Sequence, residues 1–468
     1  MKIEQIYTGC LAQGAYYIES NGEAAIIDPL RETDPYLEKA KTENSNIKYI
    51  FETHFHADFV SGHVDLAQKT GATIVFGPNA ETQYEIHQAK DGEVFQLGAV
   101  TIKTLHTPGH TMESTCYLLC DENGKETAIF SGDTLFIGDV GRPDLAAKSE
   151  LSQEDLAGHL FDSLRNKIMP LPNDVIVYPA HGAGSACGKN MSKETYDTLG
   201  NQKNTNYALR ADMSKSEFIK EVTDGIMPPP QYFPKNVLMN KMGYDSLDLI
   251  MEKGMVALDP TAFEARANAE NALVLDTRHQ QKWAAGHIPR SIFIGIDGGF
   301  APWVGTLIVD LQQPILIVAE PGREQEVITR LARVGYDNTL GYLKGGFEAW
   351  AAEGRETDSV ETIPATEFKA RLTEGHPEIL DVRKPGEFSA EHIKDATSFP
   401  LDDINDNFDQ LDPEQPYFIH CLGGYRSMIT ASILKARGFH QLTDIQKGIR
   451  AIKEAGIPVS DFVCPSTI

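Results

Sequence analysis

Cysteine is scarce in this chain: Cys10, Cys116, Cys120, Cys187, Cys421 and Cys464 are the only six among 468 residues. So few, so widely spaced, exclude a disulfide framework. They point to a reducing, cytoplasmic setting in which any special cysteine is reactive rather than structural. Long apolar runs are also lacking. No stretch approaches the ~20 apolar residues needed to span a bilayer. The opening MKIEQIYTGCLAQGAYYIES has neither the apolar segment nor the cleavage site of an export leader. Basic residues are outnumbered, 42 Lys and Arg against 67 Asp and Glu, for a formal net charge of −25. A surface of that sign repels nucleic-acid phosphate and anionic membrane, and no basic amphipathic helix offsets it, so neither is expected as a partner.

What is present is an ordinary globular core. Hydrophobic residues make up 41% of the chain, and its length suits two to four domains. Residues 1–210 alternate β-rich runs with polar loops: EAAIID (23–28), KYIFET (48–53), ATIVFG (72–77), VTIKTL (100–105), STCYLLC (114–120), AIFSGD (128–133) and VIVYPA (175–180) read as strands. Helical patterns fall near 34–43, 61–70, 152–167 and 192–210. MPPPQYFPKN (227–236) reads as an extended crossing, so 1–255 is taken as one domain with a C-terminal extension. The remainder repeats itself. LDTRHQQKWAAGHI (275–288) aligns without gaps with LDVRKPGEFSAEHI (380–393), an offset of 380 − 275 = 105 residues. An apolar strand, a helix and a Lys-Gly turn (Lys344-Gly345, Lys447-Gly448) follow in each copy. Two copies of one α/β domain are expected, over 256–358 and 359–468.

Two constellations carry chemistry. The first is a set of imidazoles and carboxylates just after strand ends: His54, His56 and Asp58 in THFHAD, His110 in HTPGHT, Asp133 in SGDTLF and His181 in YPAHG. Residues i and i+2 of an extended segment share a side, so His54 and His56 can face one point. Ligands from four separate strand ends can then converge on a metal. After Asp58 the chain carries Phe59, whose ring cannot coordinate. The second constellation is HCLGGYRS (420–427) between an apolar strand and a helix. The backbone of Leu422, Gly423, Gly424 and Tyr425 forms a nest, and the helix N-terminus and Arg426 favour the thiolate of Cys421, the nucleophile needed to hold a sulfane sulfur. In the first repeat the corresponding strand end reads VAEPGRE (318–324), with Glu320 taken as the replacement for the cysteine.

THFHAD, HTPGHT, SGDTLF and YPAHG together resemble the metallo-β-lactamase superfamily. That resemblance implies an αββα sandwich with the metal at one edge. In its two-metal hydrolases, such as glyoxalase II, a His follows the Asp, and the residue matching His56 is itself a ligand. The branch with a single metal is that of the persulfide dioxygenases, and SGDTLFIGDVGRPD (131–144) resembles them further. Its human-type members keep a His at the Phe59 position, so the loss marks a subgroup. The resemblance implies one Fe(II) per chain on His54, His110 and Asp133, with His56, Asp58 and His181 orienting ligands or water. Two His and one carboxylate also accept zinc. Arg142 is a candidate for a carboxylate of a thiol carrier, or for a salt bridge to Asp139 or Asp144. Cys187 is either a substrate contact or an inert buried thiol.

LDVR, EHI and the Cys421 loop resemble the rhodanese sulfurtransferases, with Asp381 and Arg383 as scaffold residues. Without a cysteine, 256–358 resembles an inactive rhodanese domain. The fold class expected is therefore α/β, a metallo-β-lactamase-like sandwich followed by two rhodanese-like domains. The order resembles persulfide dioxygenase–sulfurtransferase fusions of sulfide detoxification, which implies a low-molecular-weight thiol persulfide, O2, sulfite and thiosulfate as partners and a homodimer or homotetramer. The alternatives are a glyoxalase II-type thioester hydrolase and a sulfur-carrier protein.

Overall fold

Alternation along single strands explains the first half of the molecule. In Gln13–Ser20, Tyr16 and Ile18 point into one buried cluster while Ala15 and Tyr17 point into another. Ala25 and Ile27 part from Ala24 and Ile26 in the same way, as do Tyr117 and Leu119 from Cys116 and Leu118. A strand with both faces apolar must be covered on both. The computed structural model, which describes residues 1–147, 151–375 and 378–463, meets this demand with two six-stranded sheets face to face and helices outside each. The first sheet runs in chain order from Lys2–Thr8 to His87–Gln88. The second runs Asp197–Thr198, Ile176–Pro179, Glu126–Gly132, Thr115–Cys120, Val100–His106, Val94–Leu97. Between them lie Phe51, Tyr117 and Phe130, all fully buried. Burying each such side chain is worth roughly 1.5–3 kcal/mol. The expected αββα sandwich is thus present.

Two segments differ from the sequence reading. The helix expected near 192–210 forms at Leu199–Thr205, followed by a 3-10 turn at Tyr207–Leu209, because Asp197–Thr198 pairs with Ile176–Val177 at the sheet edge. The extension is mostly helical rather than extended: Lys215–Thr223, Phe233–Met242 and Leu247–Gly254. Pro234 sits in the first turn of its helix, where a missing N–H costs nothing, and 226–230 and 243–246 are irregular.

The chain divides into two compact units, Met1–Leu249 with Leu331–Gly335 and Ile250–Arg330 with Tyr336–Ile468. The second unit holds two five-stranded, all-parallel sheets of identical order. One runs Ala257–Leu258, Thr339–Leu343, Ile315–Val318, Leu273–Asp276, Ile292–Phe293; the other Glu361–Ile363, Leu442–Ile445, Tyr417–His420, Glu378–Asp381, Thr397–Ser398. The 105-residue offset holds at side-chain level. Arg278 pairs with Asp276 at 2.7 Å and Arg383 with Asp381 at 2.6 Å, both pairs buried. Trp283 stacks on His287 at 3.7 Å as Phe388 stacks on His392 at 3.9 Å. Of the cysteines, Cys464 lies outside the described residues and the other five are free thiols. Among the described residues, no helix is long and apolar enough to cross a membrane.

Candidate functional site

Four strand ends of the first unit deliver the imidazole and carboxylate side chains to one edge of the sandwich. Asn46–Phe51 ends just before His54, Val100–His106 before His110, Glu126–Gly132 before Asp133, and Ile176–Pro179 before His181. Gly132 makes the approach possible. Its φ is +53°, and a Cβ there would meet the Cβ of Thr53 at 2.6 Å. His54, His56, Asp58, His110, Asp133 and His181 are all buried.

His54, His110 and Asp133 form one group, their ligand atoms all within 4.8 Å of one another. The Nε2 atoms of His54 and His110 lie 3.8 and 3.5 Å from Asp133 Oδ2, a buried oxygen with no hydrogen-bond partner among the described residues. The opposite ring nitrogens are held. His110 Nδ1 donates to the carbonyl of Arg142 at 2.8 Å. Thr53 Oγ1 gives its one proton to Asp28 Oδ2 at 2.8 Å and therefore accepts from His54 Nδ1 at 3.0 Å. Both rings are thereby fixed with the Nε2 lone pair facing the carboxylate. Burial, then the neighbouring His56, holds His54 well below the ordinary imidazole range, in its neutral form. Burial opposes charge on Asp133, but His181, 2.8 Å from its Oδ1, outweighs it and keeps the carboxylate ionised. Neutral imidazoles and a carboxylate are the forms that bind a divalent metal, so the donor set fits one.

His56, Asp58 and His181 form a second buried group, and Asp28, Glu52 and His56 a third. The rings of His54 and His56 lie side by side, their centroids 4.3 Å apart, as the i, i+2 argument expects, but their ligand atoms fall in different groups. His181 lies between Asp133 Oδ1 at 2.8 Å and Asp58 Oδ2 at 2.9 Å; burial disfavours its charge, but the two carboxylates raise it well above the usual range. Phe59 is fully buried, its ring 4.3 Å from that of His56.

In the second unit, Cys421 follows the strand Tyr417–His420 and precedes the helix Tyr425–Ala436. Gly424, at φ +100°, turns its N–H onto Cys421 Sγ at 3.1 Å. Arg426 does not point its fork at the sulfur alone: both its terminal nitrogens bond Glu387, at 2.6 and 2.9 Å. Trp303, Cys421, Leu422, Gly423, Tyr425, Arg426 and Arg450 line a pocket of about 350 Å³. In the first repeat, strand register pairs Asp276 with Val318, and in the second Asp381 with His420. The residue after each is Ala319 and Cys421, so Ala319, one place before Glu320, holds the cysteine position.

Residues 8–181 match the metallo-beta-lactamase superfamily, and residues 259–353 and 364–455 match the rhodanese-like domain. The chain is 30% identical over 211 residues to Persulfide dioxygenase ETHE1, mitochondrial, of Homo sapiens, covering 45% of this chain and 74% of that one. This chain belongs to the metallo-β-lactamase superfamily and carries tandem rhodanese-like domains. A probable hydroxyacylglutathione hydrolase of Schizosaccharomyces pombe is 32% identical over 166 residues, 35% of this chain; the match spans only 60% of that protein. A crystal structure of a metallo-beta-lactamase from Staphylococcus aureus superposes with a TM-score of 0.64 at 31% identity, covering 74% of this chain and 98% of that one.

Within the metallo-β-lactamase unit, Arg142 forks onto Asp144 at 2.7 Å through both Nε and one terminal nitrogen, and also donates to the carbonyl of Met227. The Cys187 sulfur lies in a group with Asp133 and His181. Burial, then Asp58 and Asp133, raises its thiol well above the ordinary range, so it stays protonated. Sequence reasoning missed Thr53 and Asp28, which orient His54. Asp28 carried a signal: like Asp133, it ends an apolar strand run, EAAIID. It also missed Trp303 and Arg450, whose sequence context distinguishes them from no other surface residue.

Proposed function

We propose that the first unit is a non-haem iron persulfide dioxygenase and that the Cys421 loop is a sulfurtransferase site. The observation that carries the first assignment is the His54, His110, Asp133 group, with a fully buried Phe59 packed on the adjoining His56. Two His and one carboxylate leave positions open for substrate and O2. Phe59 brings apolar bulk where two-metal relatives place a further ligand. The reaction is RSSH + O2 + H2O giving RSH, sulfite and two protons. Iron, when bound, supplies the redox and ligand-exchange chemistry. The protein's part is to hold His54 through Thr53 and Asp28, to hold His110 through the Arg142 carbonyl, and to exclude bulk water by burying all three ligands. The relative named persulfide dioxygenase supports this reading.

The test is oxygen uptake by Fe(II)-loaded protein on addition of glutathione persulfide. Rapid uptake near one O2 per persulfide, with sulfite formed, is expected. No uptake with this or other small-thiol persulfides, in protein that carries its metal, would refute the assignment. Thr53→Val should weaken iron binding by about 10–100-fold, since the ring of His54 loses its only hydroxyl anchor while the volume is kept. Iron titration of the apoprotein measures this, and an unchanged affinity would remove Thr53 from the site.

A second reading is a thioester hydrolase of the glyoxalase II type. The His56, Asp58, His181 group and the relatives named hydroxyacylglutathione hydrolase favour it. It requires a second metal to activate water, and Phe59 opposes that. Phe59→His is expected to raise bound metal from about one towards two per chain, read by metal analysis of the purified variant. Two metals already present in the unaltered protein, with thioester cleavage, would favour the hydrolase.

A further inference from the structure

We propose that Arg450 is the residue that recognises the anionic end of the sulfur donor at Cys421, a small sulfur oxyanion of the thiosulfate type; this rests on the sulfurtransferase reading of that loop. Two guanidinium groups line the pocket, Arg426 and Arg450. The charge of Arg426 is already matched by its two bonds to Glu387. Arg450 is exposed and makes no hydrogen bond or ion pair among the described residues. The cationic fork left for a ligand is therefore that of Arg450, and a planar fork suits the oxygens of a sulfonate.

The repeat within the chain supplies the control. The helices Gly346–Ala352 and Gly448–Glu454 occupy the same place in the two domains, and each follows a residue in the left-handed region, Gly345 and Lys447. Two residues after each helix start stand Glu348 and Arg450. The copy without a cysteine thus carries a carboxylate where the copy with one carries a guanidinium. The thiol and the unpaired cation go together, and the pair Ala319 and Glu348 replaces both. The other wall is apolar: Trp303 comes from the cysteine-less repeat, which also seats Tyr425 by a hydrogen bond from its hydroxyl to the carbonyl of Gly295 at 2.6 Å. A pocket of about 350 Å³ takes a small anion.

In the step this serves, Cys421 thiolate attacks the outer sulfur of thiosulfate. The Sγ–S bond forms, the S–S bond of thiosulfate breaks, and sulfite leaves with the electron pair. Cyanide as acceptor then takes the outer sulfur as thiocyanate and returns the thiolate. Arg450 binds the sulfonate oxygens, so its removal should act on binding more than on turnover.

The experiment uses the full chain and its Arg450→Gln and Arg450→Lys variants. Arg450→Gln should raise KM for thiosulfate about tenfold or more with kcat changed less than about threefold, and Arg450→Lys should recover part of the loss. Alkylation of Cys421, followed on its own peptide by mass spectrometry, gives a readout independent of turnover. The ratio of rates with anionic iodoacetate and neutral iodoacetamide should fall about tenfold in Arg450→Gln. An unchanged ratio together with an unchanged KM overturns the proposal, as does a fall in both alkylation rates alike. If the unaltered protein transfers no sulfur to cyanide, the sulfurtransferase reading fails, and the alkylation ratio still decides whether Arg450 selects anions.

Discussion

Asp133→Asn is expected to remove iron and oxygen uptake together, each by at least on the order of 100-fold, while leaving sulfur transfer within about twofold. The orphaned Oδ2 faces both His54 and His110. An amide has nearly the same shape but no charge, and one of its two terminal atoms is a donor that repels a cation. The same change weakens the hold on His181, which bonds the other oxygen. Losing an orienting partner alone costs a metal site about 10–100-fold, and losing the anionic ligand costs more. Metal analysis and an oxygen electrode, with thiosulfate–cyanide transfer as the internal control, measure the three quantities. Full iron content and full rate in this variant would show that the metal is held elsewhere.

Cys421→Ser should bring sulfur transfer down to background, a loss of at least about 1,000-fold, with oxygen uptake and sulfite formation retained. A serine hydroxyl at this place still receives the Gly424 N–H, so the loop keeps its shape. It does not ionise near neutral pH and cannot carry a sulfane sulfur. The comparison therefore isolates the nucleophile from the nest around it. A parallel loss of oxygen uptake would mean that Cys421 serves the chemistry of the metal unit, and the two activities would no longer be separable.

Much of this was legible in the chain. The continuous apolar run in STCYLLC leaves both faces of one strand apolar, and two buried faces require a layered sandwich. The gapless match of LDTRHQQKWAAGHI with LDVRKPGEFSAEHI encodes a duplicated domain, and the structure repeats even the ion pair and the stacked ring pair. The Pro-rich extension was misread because proline permits a helix start as readily as it prevents a helix interior, and Pro234 takes the first option.

By itself, then, the sequence determined the layers, the repeat and which residue types arrive at the strand ends, since these depend on local periodicity and on order along the chain. Only the tertiary structure decided how charges and protons are shared among them. It placed the ligand atoms of His54 and His56 in different groups although their rings touch. It set Thr53 between Asp28 and His54, residues from two different loops. It joined Arg142 to Asp144 and Arg426 to Glu387, and it left Arg450 without a partner among the described residues. A guanidinium beside a cysteine in the sequence says nothing of which carboxylate packing will bring within 3 Å of it. That distance, which sets whether the charge is spent or available, exists only in the folded chain.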